Sequence, residues 1–493
     1  MPNTEPLRRE WTAFRRPGRL LALAAAALAL IAIAVLVTSG DRASCDGPCP
    51  DAPATGDGRV VSDQFWFLHR DLGPEGAITV RMTSMTGTIT YPPPGHDRIV
   101  SGLVPWAKAG IIVKDGTRRG SRYAALMMTG RHGVRFQDDY DHDVAGSADG
   151  VSDRSPRWLR LTRSGDTVTG AESSDGRRWR TVAKARLDGL PDTAQVGLFA
   201  ASPGDLTLRD TGLGGAIEEV RFTQAVGVFD NVSVAGGAGG AWKSDPVGEM
   251  NHTDWEKSHH ASGAVERDGV ITVSGTGDIG PRNEEGARTV EKTLPGLTVT
   301  LIIMLVVGAR YGARTARGTA RGTTSRRVIV DRSAVVGAAA FVTGLVAVGV
   351  ALPVGVAILK GNGVPTQPLP VLTGARVVVG VAAALALCAV LAFGIGVRLR
   401  RGWAAVLLGT SLVAVPYAVT AFPLLPDALS EWLLRLTPAA GFAVQQTMVE
   451  YPQVTAHYAP SAGYFPLPWW AGLAVLCAYT AIAVTSVTTG RSA

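Results

Sequence analysis

The second half of the chain carries long apolar runs separated by charged segments, whereas the first half repeats a much shorter rhythm. A bilayer core of about 30 Å needs roughly 20 apolar residues in a helix. Six stretches meet or approach that length: 20–39, 294–309, 334–359, 377–397, 404–425 and 469–487, with 294–309 the shortest. Residues 60–235 instead show short runs of Val, Ile, Leu and Thr, broken by Gly, Asp and Ser at roughly ten-residue intervals, which predicts an all-β sandwich. In "RWLRLTRSGDTVTGAES" the Ser164–Gly165–Asp166 turn joins two alternating runs and predicts a hairpin. Residues 236–293 are Gly-rich, with one clear strand in "GVITVSG". The pattern predicts a multidomain protein: an all-α bundle of six membrane helices, with an all-β sandwich inserted between helices one and two.

Charge gives this arrangement a direction. The net charge is +7, and the arginines are not spread evenly. Five precede the first apolar run, at 8, 9, 15, 16 and 19. Seven more stand in "GARYGARTARGTARGTTSRRVIVDR", positions 308 to 332, against one acid, Asp331. Arg398, Arg400 and Arg401 follow the fourth run, and Arg491 follows the sixth. The alternate short connections hold Lys360 and Arg435, with Arg376 at the very start of the fourth run. By the positive-inside rule, residues 1–19 and 488–493 are expected in the cytoplasm and 40–293 outside the cell, on a multi-pass protein of the cell membrane. A cleaved signal peptide is the competing expectation for the first run, but "TSGDRASC" shows no small-x-small cleavage site, which favours an uncleaved anchor. The arginine cluster is then a topology determinant; membrane lipid is the expected partner and nucleic acid is not.

The connection between runs five and six, "ALSEWLLRLTPAAGFAVQ", is too interrupted to cross the bilayer and predicts an interfacial or re-entrant helical hairpin. Pro416 and Pro423 predict kinks in run five. Tyr464, Trp469 and Trp470 suit an aromatic belt at the interface.

Candidate chemistry is sparse. Cys45 and Cys49 are spaced for a small disulfide ring, permitted outside the cell; Cys388 and Cys477 read as apolar packing residues. Trp106 and Trp158 sit in apolar strand contexts that favour core packing, while Trp179 follows "DGRR" near a hairpin and is a candidate ligand platform. The cluster "DDYDHD" offers Asp138, Asp139 and Asp141 as candidate ligands, for Ca²⁺ or otherwise, although its spacing is not that of an EF-hand and solvated loop acids are the competing expectation. His252, His259 and His260 lack a fourth ligand at sensible spacing, which favours exposed loop histidines and no metal. Glu172 and Asp175 are expected as solvated loop acids rather than a glycosidase pair.

Two resemblances add to this. "WAKAGIIVKDG", "RYAALMMTGRHGVRFQ", "PRWLRLTRSGDTVTGAESSDGRRW" and "AQVGLFAAS" resemble, in order, the concanavalin-like, laminin-G-like jelly roll found at the end of β-xylosidases. That resemblance implies a sandwich whose concave face can bind carbohydrate, here a cell-wall glycan. The six-run layout, with "RRVIVDRSAVVGAAAFVTGLVAVGVALPVG", "KGNGVP" and "YPQVTAHYAPSAGYFPLPWWAGLAVLCAYTA", resembles the permease subunits of type 2 ATP-binding-cassette exporters of the actinobacterial kind, over the whole chain. It implies a coupling element after span two that contacts an ATPase subunit; Arg310, Tyr311, Arg314, Arg317, Thr319 and Arg321 fall in the matching region. The family's acid before the tyrosine is replaced here by Arg310. None of the seven lysines follows a glycine, so no Gly-x-x-x-x-Gly-Lys phosphate cradle occurs. The implied protein is therefore a non-catalytic subunit that holds no cofactor. ATP and Mg would sit on the partner ATPase, and a single set of six spans implies a homo- or heterodimer of permeases. The alternative is a membrane-anchored wall-glycan receptor without transport.

Overall fold

The computed structural model describes residues 5–43, 51–90, 98–210, 212, 215–237, 240–251, 253–282, 288–318, 326–422 and 424–489. Two antiparallel sheets and a helical bundle make up the chain. The nine-stranded sheet runs in the order Arg180–Arg186, Thr167–Ser173, Arg157–Ser164, Glu75–Thr90, Ala216–Ala235, Val270–Gly275, Gly263–Arg267, with Asp205–Asp210 and Ile99–Ser101 on the two longest strands. The seven-stranded sheet runs Lys243–Val247, Phe65–Leu72, Ala194–Ala201, Lys108–Lys114, Tyr123–Thr129, Val134–Asp138, His142–Ala145. Ser164 and Thr167 are register partners, so the hairpin turns where the sequence predicts.

Alternate residues of facing strands build one core between the sheets. Val80 and Leu159 from the larger sheet meet Ile111, Leu126 and Leu198 from the smaller. The smaller sheet is covered on its other face as well. Phe65, Phe67, Ile112, Tyr123 and Phe199 point away from the first core and pack against Tyr140, Val61 and Ile279. Val61 and Ile279 belong to a two-stranded ribbon, Val61–Asp63 with Ile279–Pro281, laid over that face. Burial on both faces explains why "AGIIVK" and "YAALMMT" read as nearly unbroken apolar runs. Two lysines on the ribbon-facing side, Lys108 and Lys114, tie it down. Lys114 Nζ donates to Asp63 Oδ2 at 2.8 Å and to the Ser121 carbonyl at 2.9 Å, and Tyr140 Oη donates to Asp63 at 2.8 Å. Lys108 Nζ lies 2.5 Å from Asp278 Oδ1. Both lysine side chains are fully buried, and each has its carboxylate, as buried charge requires.

Among the described residues, six helices are long and apolar enough to cross a membrane: Pro17–Gly40, Leu297–Gly318, Arg326–Gly361, Val371–Leu399, Gly402–Thr420 and Trp469–Ser486. The second is displaced from its expected place. It starts after a 3₁₀ turn, Val290–Thr293, and its helical period continues past the apolar run to Gly318. It crosses Val371–Leu399 closely: a Cβ on Gly308 would run into the Ala389 carbonyl oxygen, and one on Gly312 into that of Phe393. Small residues four apart let backbones approach in this way. The fifth helix contains a π-helical stretch, Thr410–Ala414, just before Pro416, where the missing proline N–H interrupts the ladder; Pro423 lies outside the described residues. After it come a short helix, Asp427–Leu436, and a buried 3₁₀ segment, Pro438–Gln445.

The basic segments gather at one end of the bundle. The amphipathic helix Glu5–Phe14 lies there, Arg332 Nε meets Glu10 Oε2 at 2.6 Å, and the Arg19 guanidinium sits 4.4 Å from the Tyr311 ring centroid. Arg310 reaches the start of the fifth helix at Gly402. The β lobe sits on the opposite end, where Asn362 Nδ2 donates to the carbonyls of Thr38 and Asp41 at 3.1 and 2.9 Å.

Candidate functional site: a cavity between the β lobe and the bundle

The opposite end holds a cavity of about 800 Å³, walled by both lobes. Its β side is formed by Arg59, Ile217, Glu218 and Arg282, and its helical side by Leu369, Arg376, Met448 and Trp469. Several polar contacts hold the walls together. The Gln367 side-chain amide clasps the backbone of Val60 in both directions, at 3.2 and 3.0 Å. Gln453 Nε2 donates to the Asp141 carbonyl at 3.1 Å. His457 Nε2 lies 2.7 Å from Asp427 Oδ2, and its Nδ1 faces Glu218 Oε1 at 3.7 Å.

Charge in the cavity is mostly positive. Arg59, Arg282, Arg288, Lys292 and Arg376 line it, against the carboxylates of Asp57 and Glu218. Asp57 stands beside Arg59, which also pairs with Asp141. Arg376 lies in the first two turns of Val371–Leu399, and its Nη2 donates to the Gln446 carbonyl at 2.5 Å. Its Nε is buried without a hydrogen-bond partner among the described residues. Burial, followed by the nearby Arg119, holds the Arg282 guanidinium below the ordinary arginine value. Glu291 lies behind the wall and accepts from the backbone N–H groups of Thr447 and Met448 at 3.1 and 3.2 Å, fixing the loop that carries them. The arrangement can bind an anion beside apolar surface; among the described residues no group of three His, Cys, Asp or Glu could hold a metal.

The residues expected from the sequence are scattered over other parts of the molecule. Arg310, Arg314 and Arg317 share one exposed face of the second spanning helix. Tyr311 faces inward instead, edge-on to Phe14 with centroids 5.2 Å apart and tilted toward Phe393 at 5.7 Å. A surface formed here consists of the arginines. Thr319, Arg321, Cys45 and Cys49 lie outside the described residues. Each acid of the 138–143 cluster has its own cation or histidine: Asp138 with His142, Asp139 with Arg122, Asp141 with Arg59 and Asp143 with Arg135. Burial raises the carboxyls of Asp138 and Asp139. Trp179 is half-buried, and the Arg160 guanidinium covers its ring at 3.8 Å.

Several expectations need correction. Trp106 is buried and stacks on His132, but Trp158 is only half-buried, on the outer face of its strand beside Arg81 and Gly176. Strand alternation decides this: its neighbour Leu159 takes the inward position. Glu172 is not a solvated loop acid. It is 2% exposed, and it accepts from Ser147 N at 2.9 Å and pairs with Arg180. Asp175 does occupy an exposed turn, where the N–H groups of Arg178 and Arg177 and the Ser173 hydroxyl lower its carboxyl to about 2. His260 is buried, not exposed, with Nε2 against Thr90 Oγ1. His252 lies outside the described residues.

Sequence reasoning missed Arg282, Arg288, Lys292, Gln367, Arg376 and His457 as site residues. For Gln367 and His457 the one signal was polar character in the short connections "KGNGVPTQPLPVLTG" and "YPQVTAHYAP".

No protein-family model matches the chain, and neither does any curated protein. Parts of it are similar to solved structures. One is a functionally unknown protein from Saccharomyces cerevisiae, at 18% identity over 38% of this chain and 84% of that one, with a TM-score of 0.23. Another is the GH43 protein BlXynB from Bacillus licheniformis, at 12% identity over 33% of this chain and 28% of that one, with a TM-score of 0.20. A third is scytalido-glutamic peptidase, at 9% identity over 44% and 99%, with a TM-score of 0.27. Scores this low carry neither fold nor activity over to this chain, which holds six candidate membrane spans beside two antiparallel sheets and belongs to no matched family.

Proposed function

We propose that the chain is the permease subunit of an ATP-binding-cassette exporter in the cell membrane, driven by a separate ATPase subunit that carries ATP and Mg, with its β lobe outside the cell. The sandwich is on this reading a jelly roll inserted between spans one and two. A homo- or heterodimer would complete the path.

The observation that carries the proposal is the basic end of the bundle. The helix Leu297–Gly318 runs beyond its apolar part and presents Arg310, Arg314 and Arg317 on one exposed face, beside the amphipathic Glu5–Phe14 and away from the β lobe. An exposed arginine stripe on a rigid helix end suits docking to an acidic protein surface, because long-range attraction and hydrogen-bonding forks act together there. The short helix and buried 3₁₀ segment at 427–445, below the cavity, give the opposite end a discontinuous helical region of the kind that lines membrane sites. The receptor alternative is less well supported, since Arg160 lies over the Trp179 ring and the outer face of the seven-stranded sheet is filled by the chain's own ribbon.

The test is co-purification of an ATP-binding-cassette ATPase subunit with the full chain from its native membrane. The triple reversal Arg310→Glu, Arg314→Glu, Arg317→Glu should abolish its capture while leaving membrane insertion intact. Undiminished capture would sink the coupling assignment.

A further inference from the structure

We propose that the cavity between the lobes binds an amphiphile by its anionic headgroup, a phosphate or carboxylate, with the first methylenes of its tail against the apolar wall. This rests on the permease reading only for the ligand's role as cargo; the binding itself does not need it.

Arg282 and Arg376 carry the headgroup half. Arg282 lines the cavity with no ion-pair or hydrogen-bond partner among the described residues, and burial already strains its charge. Arg376 uses one nitrogen on a carbonyl and leaves its buried Nε unsatisfied. An unpaired buried donor is costly, and an oxyanion answers a guanidinium with two parallel bonds. The carboxylates in the wall are engaged elsewhere: Asp57 beside Arg59, and Glu218 facing His457. Glu291, the nearest acid behind Arg376, is held by Thr447 and Met448.

The tail half follows from position. Leu369, Met448, Val449, Leu467 and Trp469 complete the wall, and Trp469 and Arg376 stand at the first turns of two spanning helices. That is the level at which lipid headgroups meet acyl chains. A volume of about 800 Å³ lies within the range of pockets that enclose small molecules, enough for a headgroup and the start of a chain.

The full chain in neutral detergent would be titrated with dihexanoyl phosphatidic acid, dihexanoyl phosphatidylcholine and inorganic phosphate, with bound ligand counted by native mass spectrometry. The phosphatidic acid should bind at least ten-fold tighter than either other probe, and more weakly as salt rises. Arg376→Gln and Arg282→Gln should each weaken it about ten-fold, Arg376→Lys less, and Arg314→Gln at the far end not at all. Should Arg376→Gln fail to fold, Arg282→Gln decides, because removing Arg282 orphans no described partner. Equal binding of phosphatidylcholine would overturn the anionic headgroup, and equal binding of inorganic phosphate would overturn the tail. Unchanged binding by Arg282→Gln would overturn the site. Undiminished ATPase capture in the Arg310, Arg314 and Arg317 reversal, with lipid binding intact, would count against the permease reading alone.

Discussion

His457 Nε2 lies 2.7 Å from Asp427 Oδ2, joining the loop before the last span to the helix after the fifth. Its other nitrogen faces Glu218 of the long strand Ala216–Ala235 at 3.7 Å, so one imidazole bridges the bundle and the β lobe. With the Gln367–Val60 and Gln453–Asp141 hydrogen bonds it ties the β lobe to the bundle beside the cavity.

His457→Ala should therefore loosen the junction rather than unfold either lobe. A half-buried hydrogen-bonded contact of this kind is worth about 1–3 kcal/mol. Hydrogen exchange should speed up around 452–459 and along 216–220 while the inter-sheet core stays protected. Unchanged exchange in both segments would show that the bridge is dispensable.

Alkaline pH should destabilise the β lobe. Burial raises the phenols of Tyr123 and Tyr140 above the ordinary 10.0. Groups with raised folded values stabilise fully below the unfolded value, and that contribution is lost as pH climbs past about 10. The Tyr123 hydroxyl has no hydrogen-bond partner among the described residues. Tyr123→Phe should thus be neutral or mildly stabilising at pH 7. Above pH 10 it should make the loss of stability shallower by about 1.4 kcal/mol per pH unit, one proton's worth. Burial depresses the Lys114 ammonium and pulls the other way, but equally in both proteins, so the difference isolates Tyr123. Parallel denaturation curves at pH 10.5 would contradict this.

Gly312 leaves no room for a methyl group. A Cβ there meets the Phe393 carbonyl oxygen, which belongs to helix backbone and cannot turn aside. Gly312→Ala should lower stability in detergent by about 1–3 kcal/mol, as overpacking does elsewhere. Gly318→Ala, with open space around it, should have little effect. Thermal midpoints of the two variants should separate clearly; equal midpoints would mean that the helices can part without cost.

Much of the architecture was legible because it follows from local rules. A run of about 20 apolar residues has few alternatives to a spanning helix, and period-two alternation with turn residues has few alternatives to strands. The end of the second helix was misjudged because hydropathy stops at Ala309, whereas the helical backbone continues to Gly318 on the packing of Tyr311 and Gly312. Glu172 and His260 were misjudged for a related reason. A polar residue near a turn looks solvated until its partner arrives from elsewhere in the chain, Ser147 from a loop and Thr90 from the end of a long strand.

The sequence by itself determined the six apolar candidate spans, the β character of the first half and the gathering of arginine in alternate connections of the bundle, since all depend on residue-by-residue transfer between water and apolar surroundings. Tertiary structure alone decided that Arg282, Arg376 and Trp469 share one cavity and that Tyr311 is core while Arg310 is surface. Those facts depend on which faces meet across nearly two hundred residues of chain, and closing so long a loop leaves no trace in local periodicity.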